Sequence, residues 1–214
     1  MATAPFAFPV FRRLPPGALL PVLAAVAVAC SSERYFPKPL PPAPYVQNAV
    51  GTVIRYQGFT NRVVSNDGWR TRFVDDSGRT VNRIGGFITE DPAHPVSLDT
   101  SKLSRLWPLK VGNEVNVPLT ASGERWAWHF QVTGEQRIET PAGIYRTFVI
   151  EALQERLDSA GGPPVSYAHT LNYSPEAKTV ARFQTTIMSG KDNGRSFGAD
   201  LKSIYHPDDL LVKP

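Results

Sequence analysis

Through most of the chain, apolar residues alternate with polar ones in short runs divided by Gly, Asn and Asp. The longest regular run is Glu124-Arg-Trp-Ala-Trp-His-Phe-Gln-Val132. In it Trp126, Trp128, Phe130 and Val132 share one side, and Arg125, Ala127, His129 and Gln131 share the other. A period of two is that of a strand with one buried face. Shorter β-type runs lie at residues 50–56, 62–64, 69–74 and 79–84, with Ser65–Gly68 and Asp75–Gly78 as the turns of an antiparallel meander. Further runs follow at 114–117, 134–140, 145–152, 165–173, 179–188 and 199–205, and Pro141-Ala-Gly143 reads as a hairpin turn. Residues 91–108 break the pattern. There Asp99–Trp107, ahead of Pro108, predicts a short helix with Leu103, Leu106 and Trp107 on one side. The expectation is a single all-β antiparallel domain over residues 48–214, with about 9–11 strands and at most one short helix near 99–107. To avoid exposed edges it should form a strongly curved sheet, a sandwich or a partly closed barrel.

The front of the chain has a different texture. Ten of the 20 prolines fall before residue 45. Arg12 and Arg13 precede a run from Leu14 to Ala29 that ends in Val22-Leu-Ala-Ala-Val-Ala-Val-Ala29. Pro15, Pro16, Gly17 and Pro21 interrupt it, so it falls short of a membrane span of about 20 residues and reads as an export signal. Next comes Cys30, the single cysteine of the chain, followed by Ser31-Ser32. Val26-Ala-Val-Ala-Cys-Ser31 resembles a bacterial lipoprotein signal, in which a small or aliphatic triplet precedes the cysteine that receives a diacylglycerol. The resemblance implies lipidation at Cys30 after removal of residues 1–29. Because Ser31 is not Asp, it also implies sorting to the outer membrane, facing the periplasm. Ala27-Val28-Ala29 also fits an ordinary secretory cleavage site, and an uncleaved anchor is a third reading. A lone thiol would be awkward in an oxidising compartment, and lipidation removes it. Residues 30–47 then form a lipidated cysteine and tether. Five prolines in positions 37–44 favour extended polyproline II.

Composition narrows the class. A 42% hydrophobic and 20% charged chain is not disordered. The formal charge of +4 drops to about +2 once Arg12 and Arg13 leave, which makes nucleic acid a poor partner. The expected partners are the membrane, through Cys30, and an envelope protein. In the body, Val132–Phe148 followed by Leu171-Asn-Tyr-Ser-Pro-Glu176 is similar to uncharacterised secreted and lipid-anchored bacterial β-domains. There a strand, a Pro-Ala-Gly turn and an aromatic-led strand precede a Tyr/Trp-Tyr-x-Pro segment, whose first aromatic is replaced here by Leu171-Asn172. The likeness implies a curved antiparallel sheet and no assigned chemistry.

No catalytic constellation is legible. His94, His129, His169 and His206 have no metal-ligand spacing, and no Gly-x-Ser-x-Gly elbow or phosphate loop occurs, so no cofactor or metal is expected. The acid pairs Asp75-Asp76, Asp208-Asp209 and Glu151/Glu155 read as solvated turns or faces. His169 shares its face with Val165, Tyr167, Leu171 and Tyr173, as a buried histidine satisfied by a hydroxyl or carbonyl would. Trp126, Trp128, Phe130, Tyr167, His169 and Tyr173 are the candidate ligand-facing or core set. Arg70 and Arg72, in an arginine-rich first third, are a candidate basic patch for phosphate headgroups or an acidic partner. The reading is a binding or assembly module in the envelope, with a carrier of apolar ligands or a hydrolase as alternatives.

Overall fold

The computed structural model describes residues 38–158 and 165–207. The signal segment, Cys30 and the first part of the tether lie outside the described residues. The strands are β1 (Val53–Tyr56), β2 (Phe59–Asp67), β3 (Arg70–Asp75), β4 (Thr80–Ile84), β5 (Ile88–Glu90), β6 (Val96–Leu98), β7 (Glu114–Ala121), β8 (Glu124–Thr140), β9 (Gly143–Arg156), β10 (Ser166–Ser174), β11 (Thr179–Ile187) and β12 (Ser196–Tyr205). One short helix, α1 (Thr100–Ser104), is capped by the Asp99 carboxylate on the Ser101 N–H.

All twelve strands join one antiparallel sheet in the order β5-β4-β3-β2-β1-β12-β11-β10-β9-β8-β7-β6. This is a meander whose last strand returns to pair with its first. β12 makes the join, pairing with β11 through Ser196–Asp200 and with β1 through Leu201–Tyr205. The sheet is nearly closed into a barrel, and β5 and β6 are its two free edges.

Those edges are tied by side chains rather than a ladder. Glu90, 4% exposed, accepts from the Val96 N–H at 2.8 Å and from Asn82 Nδ2 at 2.7 Å. Arg70 Nε lies 3.3 Å from the same carboxylate, and its Nη2 donates to the Val96 carbonyl at 3.0 Å. Burial by itself would raise the Glu90 pKa. The bonds from Val96 and Asn82 and the charge of Arg70 outweigh it and hold the carboxyl below its usual value.

Three strand assignments differ from the pattern reading. β8 runs unbroken through the two runs at 124–132 and 134–140, because a bulge between Val132 and Gly134 bends the strand without ending it. β6 falls in the stretch read as non-β and β5 just before it; three residues each are too few for alternation to register. β7 continues through Pro118 to Ala121. β6 covers only Leu119–Ala121, so Pro118 sits where β7 is an edge and no ladder bond is lost. The count is therefore twelve, one above the expected range.

The tether also ends sooner. Residues 38–47 are docked on the sheet. Ala43, 4% exposed, exchanges two backbone hydrogen bonds with Leu109, at 3.0 and 2.7 Å. Glu135 accepts from the Leu40 N–H, and Arg146 donates to the Lys38 carbonyl. Tyr45 stacks on Trp69 with ring centroids 4.4 Å apart and leans on Trp107 at 5.3 Å. A free spacer can extend no further than residue 37.

Two apolar clusters fill the body. The larger joins Ile84, Phe87 and Ile88 to Leu103, Leu106, Trp107 and the inward residues of β7–β10. The smaller joins Ile54, Tyr56, Val63 and Phe73 to Ile138, Ala181 and Leu201, and Phe183 packs against both. Gly85, at φ +60°, turns the chain against Leu103: a Cβ there would lie 2.3 Å from Leu103 Cδ2.

Candidate functional site

The register of β7–β12 assembles three cross-strand rows on one face. Val115, Phe130, Ala152, His169, Thr185 and Phe197 form the first. Val117, Trp128, Gln154, Tyr167 and Ile187 form the second, and Leu119, Trp126 and Arg156 the third. Side chains directly opposite on neighbouring strands share a face, so these residues pave one surface about 19 Å across from β8 to β12. Burial is uneven along it, and Thr185 is 5% exposed between half-buried His169 and exposed Phe197. Phe130 is 0% and Trp128 7% exposed, Trp126, Gln154, Tyr167 and His169 are half-buried, and Phe197 is 54% exposed.

Trp128 anchors the face. Its ring stacks on Phe130 with centroids 5.1 Å apart and on His169 at 4.7 Å, both within 14° of parallel. His169 Nε2 lies 3.3 Å from Gln154 Oε1, an acceptor, so Nε2 carries the proton. Nδ1, 2.9 Å from Thr185 Oγ1, then accepts from that hydroxyl. Burial lowers the His169 pKa to about 4, so the ring is neutral at neutral pH with both nitrogens engaged. Such a ring is held in place and is poorly set up to take a proton from a substrate. Beyond it, Trp126 and Trp128 open on a cleft of about 200 Å³ shared with Ile88, Leu119 and Gln154. At its rim Arg156 Nη1 pairs with Glu124 at 3.1 Å.

Of the aromatic set, Trp126, Trp128, Phe130, Tyr167 and His169 come together here. Tyr173 lies in the opposite, filled part of the face, edge-on to Phe87 at 6.0 Å and to Trp107 at 5.2 Å. Burial, with Tyr45 close by, raises its pKa. Pattern reading missed Gln154, Arg156, Thr185 and Phe197. The signal was present for two of them, since the alternation Ile150, Ala152, Gln154, Arg156 continues the inward face of β9 after it turns polar. Arg70 is committed to Glu90 and Val96, whereas Arg72 is exposed and donates to Asn82 Oδ1 at 3.4 Å. Among the described residues no group of three His, Cys, Asp or Glu side chains is placed to hold a metal ion.

No known protein family matches the chain, and no curated protein does. Solved structures with a related shape include the hypothetical lipoprotein YmcC of Escherichia coli, 8% identical with a TM-score of 0.46, over 73% of this chain and 83% of that one. An exported protein assigned a YmcC-like fold from Bacteroides fragilis is 14% identical, TM-score 0.42, over 76% and 99%. A protein from Parabacteroides distasonis assigned as a lipoprotein is 11% identical, TM-score 0.41, over 78% and 100%. At these values the likeness is one of general shape.

Proposed function

We propose that this chain is a lipid-anchored protein of the bacterial outer membrane, facing the periplasm, whose β-domain binds an envelope protein through the half-open aromatic face. Cys30, the sole thiol, at the end of an export signal, supports the anchor. The filling of the body supports protein binding over ligand carriage. Phe87, Trp107, Phe130 and Tyr173 pack the face at one end, and the space left beside Trp126 is about 200 Å³, below the roughly 300–1,000 Å³ of small-molecule pockets. Half-exposed aromatics among satisfied polar groups are the composition of a protein-interface core.

A photo-crosslinking residue replacing Trp126 in the intact envelope tests the site. The expected product is a defined protein adduct that the same residue at Val64 does not give. Adducts with lipid alone would favour the carrier reading instead. Labelling with an alkyne fatty acid tests the anchor, and Cys30→Ala should lose both label and membrane retention.

A further inference from the structure

The arginine-rich first third resolves into a second surface, separate from the aromatic face. Arg55 on β1 lies opposite Thr60 on β2, two residues from Arg62; Arg62 lies opposite Val74 on β3, two residues from Arg72. Opposite partners and i, i+2 neighbours share a face, so register alone puts Arg55, Arg62 and Arg72 on one side, in a staircase over three strands. All three are exposed. Val53, Val74 and Tyr205 lie on the same side, and Val64 is 38% and Tyr205 49% exposed. The Arg55 guanidinium sits over the Tyr205 ring at 5.4 Å from its centroid. The carboxylates of this side include Asp67, at the hairpin end opposite Arg70, Glu90, buried and already engaged, and Asp76, exposed in the turn two residues past Val74. Neither Arg55 nor Arg62 has an ion pair among the described residues. Diagonal neighbours of like charge, about 7 Å apart, repel. An anion against this face would relieve that repulsion.

We propose that this face docks on the anionic phospholipid surface to which the chain is tethered, an inference that rests on the lipid-anchor reading for its context. Basic residues set among valines, with a tyrosine at the margin, form a surface suited to the headgroup layer. The covalent reach is short. Eight residue steps separate Cys30 from Lys38, where the docked strap begins, and at about 3.5 Å per step they span at most about 28 Å. A body held that close meets the surface at high effective concentration, so weak attraction suffices to orient it. A flat bilayer can meet the three arginines at once, which an acidic protein must match one by one.

The test uses the unacylated chain, Cys30→Ser, sedimented with vesicles of phosphatidylcholine alone or with phosphatidylglycerol. Binding to the anionic vesicles alone, lost at high salt, is expected. Arg55→Gln with Arg62→Gln should weaken it about 30-fold, each arginine near such a surface contributing roughly a factor of five to ten. Lys191→Gln with Arg195→Gln, an equal change of charge on a distant loop, should alter it less than about twofold. Arg62→Gln alone serves if the double variant fails to fold. No binding to anionic vesicles, equal binding to both kinds, or equal loss in the two pairs of variants overturns the proposal. Fatty-acid labelling of Cys30 in the native chain is a separate measurement, so failure of the anchor and failure of the docking face are told apart.

Discussion

The two ends of the inward face of β8–β10 are built from similar residues and behave differently. At one end Tyr173, Phe87, Trp107 and Tyr45 interlock with Trp69, and ring centroids lie 4.4–6.0 Å apart. At the other, Trp128 and His169 stack at 4.7 Å, but Trp126 and Tyr167 stay half-exposed. The difference comes from what lies opposite. The filled end receives the docked strap and the segment after α1, which bring in Tyr45, Leu106, Trp107 and Leu109. At the open end the short strands β5 and β6 bring just Ile88, Thr89 and Val96 to the cleft, among the described residues. Aromatic content therefore does not decide whether a sheet face is core. The supply of covering segments does.

Substitutions can break this contrast. Trp128→Ala should be the most damaging, at about 3–5 kcal/mol, since it empties a 7%-exposed site and unstacks both Phe130 and His169. A thermal melt within a degree or two of the parent would show that Trp128, although 7% exposed, is packed no more tightly than the half-exposed rings beside it.

Acid should act next. His169 titrates near 6.5 when unfolded and about 4 when folded. Its contribution is fully present above pH 6.5. As pH falls toward 4 the unfolded chain takes up a proton that the folded one refuses, so stability declines by an amount on the order of 3 kcal/mol. Denaturant titrations between pH 4 and 7 should show this slope, and His169→Gln should flatten it.

Glu90→Ala should cost about 2 kcal/mol, because the Val96 N–H and Asn82 amide lose their acceptor while Arg70, 41% exposed, turns to water. Amide exchange should then rise first at β5 and β6. Trp126→Ala should cost under about 1.5 kcal/mol, with a half-exposed ring at stake. A loss as large as that at Trp128 would show that the open end is packed as tightly at Trp126 as at Trp128.

The sequence made part of this readable. Alternation at 124–132 announces the face of β8, and the face shared by His169, Leu171 and Tyr173 is as the pattern reads. Which end of that face is covered is not readable, because cover comes from the strap and from α1, far off in the chain. The strap misleads by composition: its prolines suit an extended spacer, and the same extended backbone lies well along a sheet. Only Ala43 and Tyr45, among prolines, hint that it is seated. Arg70 looked like its neighbour Arg72 because its partner, Glu90, lies in a three-residue strand with no pattern of its own.

The join between β12 and β1 has a consequence for how the protein is made. Val53 pairs with Tyr205, so the ring of strands is completed only when residues about 150 positions apart in the chain meet. The β1–β5 meander precedes its partner β12 by more than a hundred residues, and non-local closure of this kind is slow. Truncation before Ser196 would remove the partner of both β1 and β11 and leave their edges, four and nine residues long, open to pairing with other chains.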